Sequence, residues 1–319
     1  MTILIPVFND WAVAKVLVGQ LDKVFEERGL TGRIVFVDDG SSEPPGELFT
    51  TASFVSLESI HILELRRNLG HQRALCVGLV YLFQDNSKGP VLIMDADGED
   101  SPSDIPLLLE EYIRQGERKI VFAARGRRAE SFVFKAFYQL YRAAHRVLVG
   151  FDIRIGNFSI IPSPLLERLV VTSDVWNHYA AAVTKIKVPS TRVSINRAKR
   201  ISGQSKMGFV GLIVHGLSAI SVFGDVVGVR LLILSAAVGV LSVVLVFAAL
   251  VIKFFTPLAV PGWATYTVGL LLLLLGQCVL LSLIFTFSVL YSRGQSSFVP
   301  LRDCPIYIHA ERRVFTRHE

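Results

Sequence analysis

Val91-Leu92-Ile93-Met94-Asp95-Ala96-Asp97-Gly98-Glu99-Asp100 is an apolar run that stops in carboxylates. Four consecutive apolar residues read as a buried strand. In an open α/β sheet, ligands sit beyond the carboxyl ends of the strands, so Asp95 and Asp97 fall where a site is expected. An Asp-x-Asp at that place suits a hard divalent cation that keeps some waters and takes other ligands from a diphosphate. Taken alone, the residues read more simply as a solvated acidic turn. The other strand ends decide between the two readings.

Working outward, short apolar runs alternate with helical stretches up to about residue 200. Strands are expected over 2–8, 33–38, 60–65, 91–95, 119–123 and 188–195, with helices notably over 11–28, 71–84, 104–115, 131–149 and 174–186. Such alternation predicts a mostly parallel sheet covered on both faces. The first strand ends in Pro6-Val7-Phe8-Asn9-Asp10 and the second in Val37-Asp38-Asp39-Gly40-Ser41-Ser42. A carboxylate beside that Gly-Ser turn can accept a hydrogen bond from a base N–H or a ribose hydroxyl. It can equally cap a helix. The third strand leads into Arg66-Arg67-Asn68-Leu69-Gly70-His71-Gln72-Arg73, where Gly70 permits close backbone approach and a helix start offers N–H groups to an anion.

Hydrophobic residues make up 51% of the chain, and the excess is concentrated late. Leu231 to Ile252 and Phe254 to Ser292 carry no charge, and each is long enough to cross the ~30 Å hydrocarbon layer. Pro257, Pro261 and Gly262 break the run between them, so the pair reads as a transmembrane hairpin with spans at about 230–253 and 265–291. Before it, Met207, Phe209, Leu212, Ile213, Leu217, Ile220 and Phe223 recur at helical spacing. Residues 205–228 are therefore expected to form juxtamembrane amphipathic helices at the interface. Residues 1–204 would be the α/β domain, 229–291 the membrane part and 292–319 a basic tail.

Arg230 precedes the first span, and Arg293, Arg302, Arg312, Arg313 and Arg317 follow the second, while the connecting loop carries only Lys253 at its edge. The positive-inside rule then places both termini and the α/β domain on the cytoplasmic side of a two-span membrane protein. No cleavable signal peptide is expected, because the chain opens on the strand-like Thr2-Ile3-Leu4-Ile5. Three scattered cysteines suit neither a disulfide framework nor a zinc site. The net charge of +6 fits an anionic membrane face, and no zinc-finger, RNA-recognition or basic-stripe pattern argues for nucleic acid.

As a set, Ile5-Pro6-Val7-Phe8-Asn9, Val37-Asp38-Asp39-Gly40-Ser41, Arg67-Asn68-Leu69-Gly70 and Asp95-Ala96-Asp97 resemble glycosyltransferase family 2, the inverting enzymes with the Rossmann-like GT-A fold that use nucleotide sugars. Arg200-Ile201-Ser202-Gly203-Gln204-Ser205-Lys206 is similar to a signature of the polyprenyl-phosphate subgroup, which includes dolichyl-phosphate mannose synthase and the bactoprenol glucosyltransferases. The resemblance implies an α/β GT-A domain followed by interfacial helices and the two-helix hairpin. It implies a metal-dependent hexosyl transfer from a nucleotide sugar to a polyprenyl phosphate, in the making of cell-envelope glycan.

Carried over residue by residue, the resemblance implies that Pro6, Val7, Asp38 and Asp39 hold the nucleoside and that Asn68 and Gly70 line the nucleotide. Asp95 would touch the ribose or sugar, and Asp97 would bind Mg²⁺ or Mn²⁺. Glu99 stands where a family glutamine helps to hold the metal and would add a negative ligand. Arg200 and Lys206 would close over the phosphates. Arg125, with Arg127 and Lys135 as further basic residues, would meet the acceptor phosphate. The implied partners are a UDP- or GDP-sugar, a polyprenyl phosphate and the membrane, with a homo-oligomer left open. Transfer to a lipid hydroxyl, with Asp152 or Asp174 as base, is the alternative chemistry. A non-catalytic GT-A scaffold that binds a membrane partner is the alternative class.

Overall fold

The computed structural model describes the chain except residues 47, 48, 50–52, 88, 126–138, 140–145, 151–154, 196–208, 257–261, 295–297 and 318–319. The chain separates into two compact units. One contains residues 1–131, 153–222 and 297–319, and the other contains 132–152 and 223–296.

The first unit is built on one sheet. Its strands among the described residues are β1 (Thr2–Val7), β2 (Gly32–Asp38), β3 (Leu57–Leu65), β4 (Val91–Ile93), β5 (Ile120–Arg125), β6 (Ser159–Ile161), β7 (Ser190–Ile195) and β8 (Ile308–Thr316). Their order is β7-β5-β6-β4-β1-β2-β3-β8. The central run β4-β1-β2-β3 is parallel, as is β5-β7, whereas β6 and β8 pair antiparallel with their neighbours. The mostly parallel sheet expected from the alternation is therefore present.

Strand β1 is buried along its whole length, because helices cover both faces. Its residues alternate between two cores. Leu4 joins the side packed by helix α2 (His71–Gln84), and Ile3, Ile5 and Val7 join the side packed by α1 (Trp11–Glu27). Contact on the α2 side is tight. A Cβ on Gly78 would stand 2.6 Å from Leu4 Cδ1 and 2.7 Å from Val37 Cγ2, so only glycine lets the helix lie this close to the sheet. Helix α3 (Ile105–Arg114) follows a 3₁₀ turn over Pro102–Asp104.

Three departures from the sequence reading stand out. The stretch expected as one helix over 174–186 is a 3₁₀ turn, Ser173–Trp176, followed by α5 (Tyr179–Lys185), because the His178 ring caps the second piece by accepting the Ala181 N–H. Between β6 and that turn lies a short helix, α4 (Ser163–Val170), that the sequence reading did not assign. Finally, the segment expected as a basic tail folds back. Helix α9 (Pro300–Asp303) and a 3₁₀ turn lead into β8, which closes the outer edge of β3. The helix expected over 131–149 lies largely outside the described residues.

Helix α6 (Phe209–Ser221) exposes Val214 and Leu217. In the second unit, α7 (Gly224–Phe255) and α8 (Trp263–Gly294) are 32 residues each, and both contain stretches long and apolar enough to cross a membrane by length and composition. They meet through small residues. Ser235 and Ser282 approach at 2.7 Å Oγ to Oγ, and Gly239 faces Leu275 and Cys278. Small contact residues are the usual way for two helices to pack without a hydrophobic driving force between them.

Candidate active site

Four loops leave the carboxyl ends of β4, β1, β2 and β3, which are neighbours in that order. β1, β2 and β3 end nearly level, with Val7 opposite Asp38 and Asp38 opposite Glu64, while β4 ends earlier, with Ile93 opposite Leu4. The four motif segments are thereby gathered on one edge of the sheet.

Side chains that join one loop to the next fix this edge. Asn9, at φ 54°, donates its N–H to Ser41 Oγ (2.9 Å), while its Oδ1 accepts from Ser42 N (2.9 Å). Asp38 Oδ1 accepts the Ser41 N–H at 2.9 Å. Asp39 reaches across to the next loop, accepting the N–H of Leu69 (2.7 Å) and of Gly70 (2.9 Å), one on each oxygen. Burial pushes the Asp39 carboxyl above the ordinary range even though these two donors pull it down. No helix starts at residues 39–46, so the capping reading of this aspartate pair gives way to loop-to-loop closure. Gly40, at φ 71°, is required twice over. Its conformation is left-handed, and a Cβ would lie 2.7 Å from Asn68 N.

The Asp-x-Asp loop is tied internally. Asp100, fully buried, accepts the Asp95 N–H at 2.9 Å, and Asp97 Oδ1 accepts the Glu99 N–H at 2.9 Å. Asp95 and Asp97 are partly exposed, and Glu99 is buried. Among the described residues no cluster of three or more His, Cys, Asp or Glu side chains gathers as a metal cage. Mg²⁺ is commonly bound through one or two carboxylates plus substrate phosphates, and Asp97 offers one partly exposed carboxylate.

A polar network that the sequence spacing does not reveal reaches this loop. His71 Nε2 stands 3.2 Å from Asp95 Oδ1 and 2.9 Å from Asn157 Nδ2. Asn157 Oδ1 accepts from Gln72 Nε2 at 3.1 Å, and Gln72 Oε1 accepts the Tyr179 N–H at 2.8 Å. Burial works against a charge on His71, but Asp95, then Asp100 and Asp39, outweigh it and raise the imidazole pKa. A protonated Nε2 can donate to Asp95, and an unprotonated Nε2 can accept from the Asn157 amide.

The remaining expected site residues distribute as follows. Pro6 and Val7 end β1, and Asn68 and Gly70 lie on the loop closed by Asp39. Arg125 ends β5 at the same edge of the sheet. Arg127, Lys135, Arg200, Lys206 and Asp152 lie outside the described residues. Asp174 pairs with Lys185 at 2.9 Å. His178 serves as a helix cap, and Trp176 packs against the core.

Comparison with known proteins places the chain in a family. An uncharacterized glycosyltransferase of Bacillus subtilis, YkcC, is 24% identical over 290 residues, 86% of each chain. An undecaprenyl-phosphate 4-deoxy-4-formamido-L-arabinose transferase of Pectobacterium carotovorum is 33% identical over 42% of this chain and 39% of its own length. Among solved structures, mannosyl-3-phosphoglycerate synthase from Rubrobacter xylanophilus superposes with a TM-score of 0.50 at 15% identity, covering 70% of this chain and 72% of that one, a likeness of fold. The profile described as Glycosyl transferase family 2 matches residues 2–167, just over half the chain, and the chain belongs to that family.

Proposed function

We propose that this protein moves a sugar from a nucleotide-sugar donor, a UDP- or GDP-sugar, to a polyprenyl phosphate at the cytoplasmic face of a membrane, with inversion at the anomeric carbon. The observation that carries the reading is the gathering of four motif loops on adjacent strand ends, with Asp95 and Asp97 at their edge. The relatives named as undecaprenyl-phosphate transferases support the acceptor class.

In this reading Pro6, Val7, Asp38 and Asp39 hold the nucleoside, Asn68 and Gly70 line the nucleotide, and Asp95 meets the ribose or sugar. Asp97, with Glu99 beside it in the chain, would hold Mg²⁺ or Mn²⁺, whose chemistry is to neutralise charge on the leaving diphosphate. Arg200 and Lys206 add positive charge to the same phosphates. Arg125, Arg127 and Lys135 receive the acceptor phosphate. That phosphate is already ionised near neutral pH, so the protein needs to position it for in-line attack and not to deprotonate it. The Asp174–Lys185 ion pair is in keeping with a reaction that makes no use of Asp174 as a base. α7 and α8 would hold the enzyme where the acceptor's head group lies, with both termini cytoplasmic.

The test is incubation of the purified full chain with a polyprenyl phosphate and a panel of nucleotide sugars, with mass detection of the lipid product. Asp97→Ala should abolish transfer while leaving the protein folded, and excess chelator should do the same to the wild type. Full activity in either case would sink the metal assignment, and no lipid product from any donor would sink the reading itself.

A further inference from the structure

Two arginines beside the nucleotide loop are held in an unusual way. Arg67 lies over the Tyr307 ring, 5.8 Å from its centroid, and Arg73 over the Trp176 ring at 5.3 Å. The two rings are themselves stacked, 5.3 Å apart with 29° between their planes, and Phe298 packs on Trp176 at 4.3 Å. Trp176 comes from the 3₁₀ turn before α5, whereas Phe298 and Tyr307 come from the segment that follows α8. Backbone contacts anchor that segment here. The Arg66 N–H donates to Tyr307 O at 2.9 Å, and Arg66 Nε donates to Ile306 O at 3.0 Å.

Arg67 and Arg73 are exposed, and among the described residues neither guanidinium has an acidic partner or a hydrogen bond. That combination separates them from arginines that serve the fold. Arg312, for comparison, pairs with Glu64 across β3 and β8. A guanidinium lying on a ring has one face satisfied by the π-system, while its N–H donors point outward in the plane of the group. Those donors form a fork suited to bidentate phosphate oxygens. The two forks bracket Asn68, Leu69 and Gly70 in sequence, on the loop that Asp39 holds at the ligand edge.

We propose that Arg67 and Arg73 form a two-guanidinium clamp for a phosphate-bearing substrate, with Tyr307 and Trp176 as the residues that position it. The placing of this clamp at a substrate site rests on the transferase reading above, while its anion chemistry does not. The phosphate belongs either to the nucleotide donor or to the lipid acceptor, and the two sources are separable.

The experiment uses the full chain in neutral-lipid nanodiscs and measures binding of UDP, GDP, inorganic pyrophosphate and farnesyl phosphate to the wild type and four variants. Arg67→Ala and Arg73→Ala should each weaken the anion that the clamp holds by about tenfold or more. Tyr307→Leu should weaken it about two- to fivefold, and Tyr307→Phe, which keeps the ring, should bind as the wild type does. Loss confined to UDP, GDP and pyrophosphate assigns the clamp to the donor, and loss confined to farnesyl phosphate assigns it to the acceptor. Unchanged affinity for all four anions in both arginine variants overturns the proposal. So does a Tyr307→Phe variant as weak as Tyr307→Leu, or a wild type that binds none of the four. If the wild type transfers no sugar yet loses pyrophosphate binding with Arg67→Ala, the transferase reading falls and the clamp stands.

Discussion

Replacing Asp39 by alanine removes the acceptor that closes the β2 loop onto the β3 loop. The carboxylate is 3% exposed and takes two backbone N–H groups, from Leu69 at 2.7 Å and Gly70 at 2.9 Å. Leaving a buried donor without a partner costs about 1–3 kcal/mol, so the pair represents roughly 2–6 kcal/mol of local stability. The Asp39 carboxyl lies above the usual 3.8 because burial disfavours the charge. Protonation of Asp39 in the folded state therefore favours folding below that pH, and this contribution is lost as pH rises through the raised value. The Asp39→Asn variant would keep one acceptor oxygen and turn an NH₂ group toward the other donor, for about half the loss. Hydrogen exchange over residues 66–73 reads the loss directly, and about 2 kcal/mol or more corresponds to at least roughly 30-fold faster opening. Nucleotide affinity should fall with it, since Asn68 and Gly70 sit on the loosened loop. Unchanged exchange in a folded Asp39→Ala protein would refute the claim that this carboxylate builds the site.

The other predictions concern the same edge and its surroundings. Gly40→Ala should raise the donor KM and lower stability by about 1–3 kcal/mol, because a left-handed backbone and a 2.7 Å approach to Asn68 N both oppose a side chain; an unchanged KM would count against it. Burial opposes the charge on Glu311, but hydrogen bonds from His61 and Tyr81 outweigh it and hold its pKa below 4.5. The stability it lends to β8 is thus present above pH 4.5 and lost as pH falls through the lowered value, and Glu311→Gln should flatten the acid limb of a denaturation profile. Asp174→Asn should cost at most about 1 kcal/mol, the worth of a partly exposed ion pair, and keep substantial activity. A loss of several orders of magnitude with nucleotide affinity intact would identify a base and a hydroxyl acceptor.

The central strands were legible because each is an apolar run that stops in polar or acidic residues, and because α2 begins at His71 just after a glycine. Strand β6 was not, since three residues, Ser159–Ile161, are too few to show a period. Strand β8 was hidden for a different reason. It lies at the sheet edge and leaves His309, Glu311, Arg312 and Arg313 exposed, so its composition reads as a solvated tail. Charged residues on an edge strand are a common guard against unwanted pairing. The site shows the same division. Asp38, Asp39, Asp95 and Asp97 announce themselves by local pattern, whereas the contact of His71 with Asn157 joins residues 86 apart and depends on how β6 threads between β4 and β5. Only the antiparallel entry of β6 beside β4 carries a hint, in Gly156-Asn157 just ahead of the strand.

Strand β8 also sets an order of events during biosynthesis. Its partner β3 is complete at Leu65, while Ile308 follows roughly 240 residues later, beyond both long apolar helices. At about 5–20 residues per second, the ribosome leaves the outer backbone edge of β3 without its native neighbour for roughly 10–50 s. During that interval the edge is a template for pairing with another nascent chain. The sheet can be closed only after α7 and α8 have been made, so synthesis of both long apolar helices precedes completion of the fold. A chain stalled or cleaved after α8 would be left with an open sheet and should be recognised by quality control as unfinished, even with every donor-site motif already made.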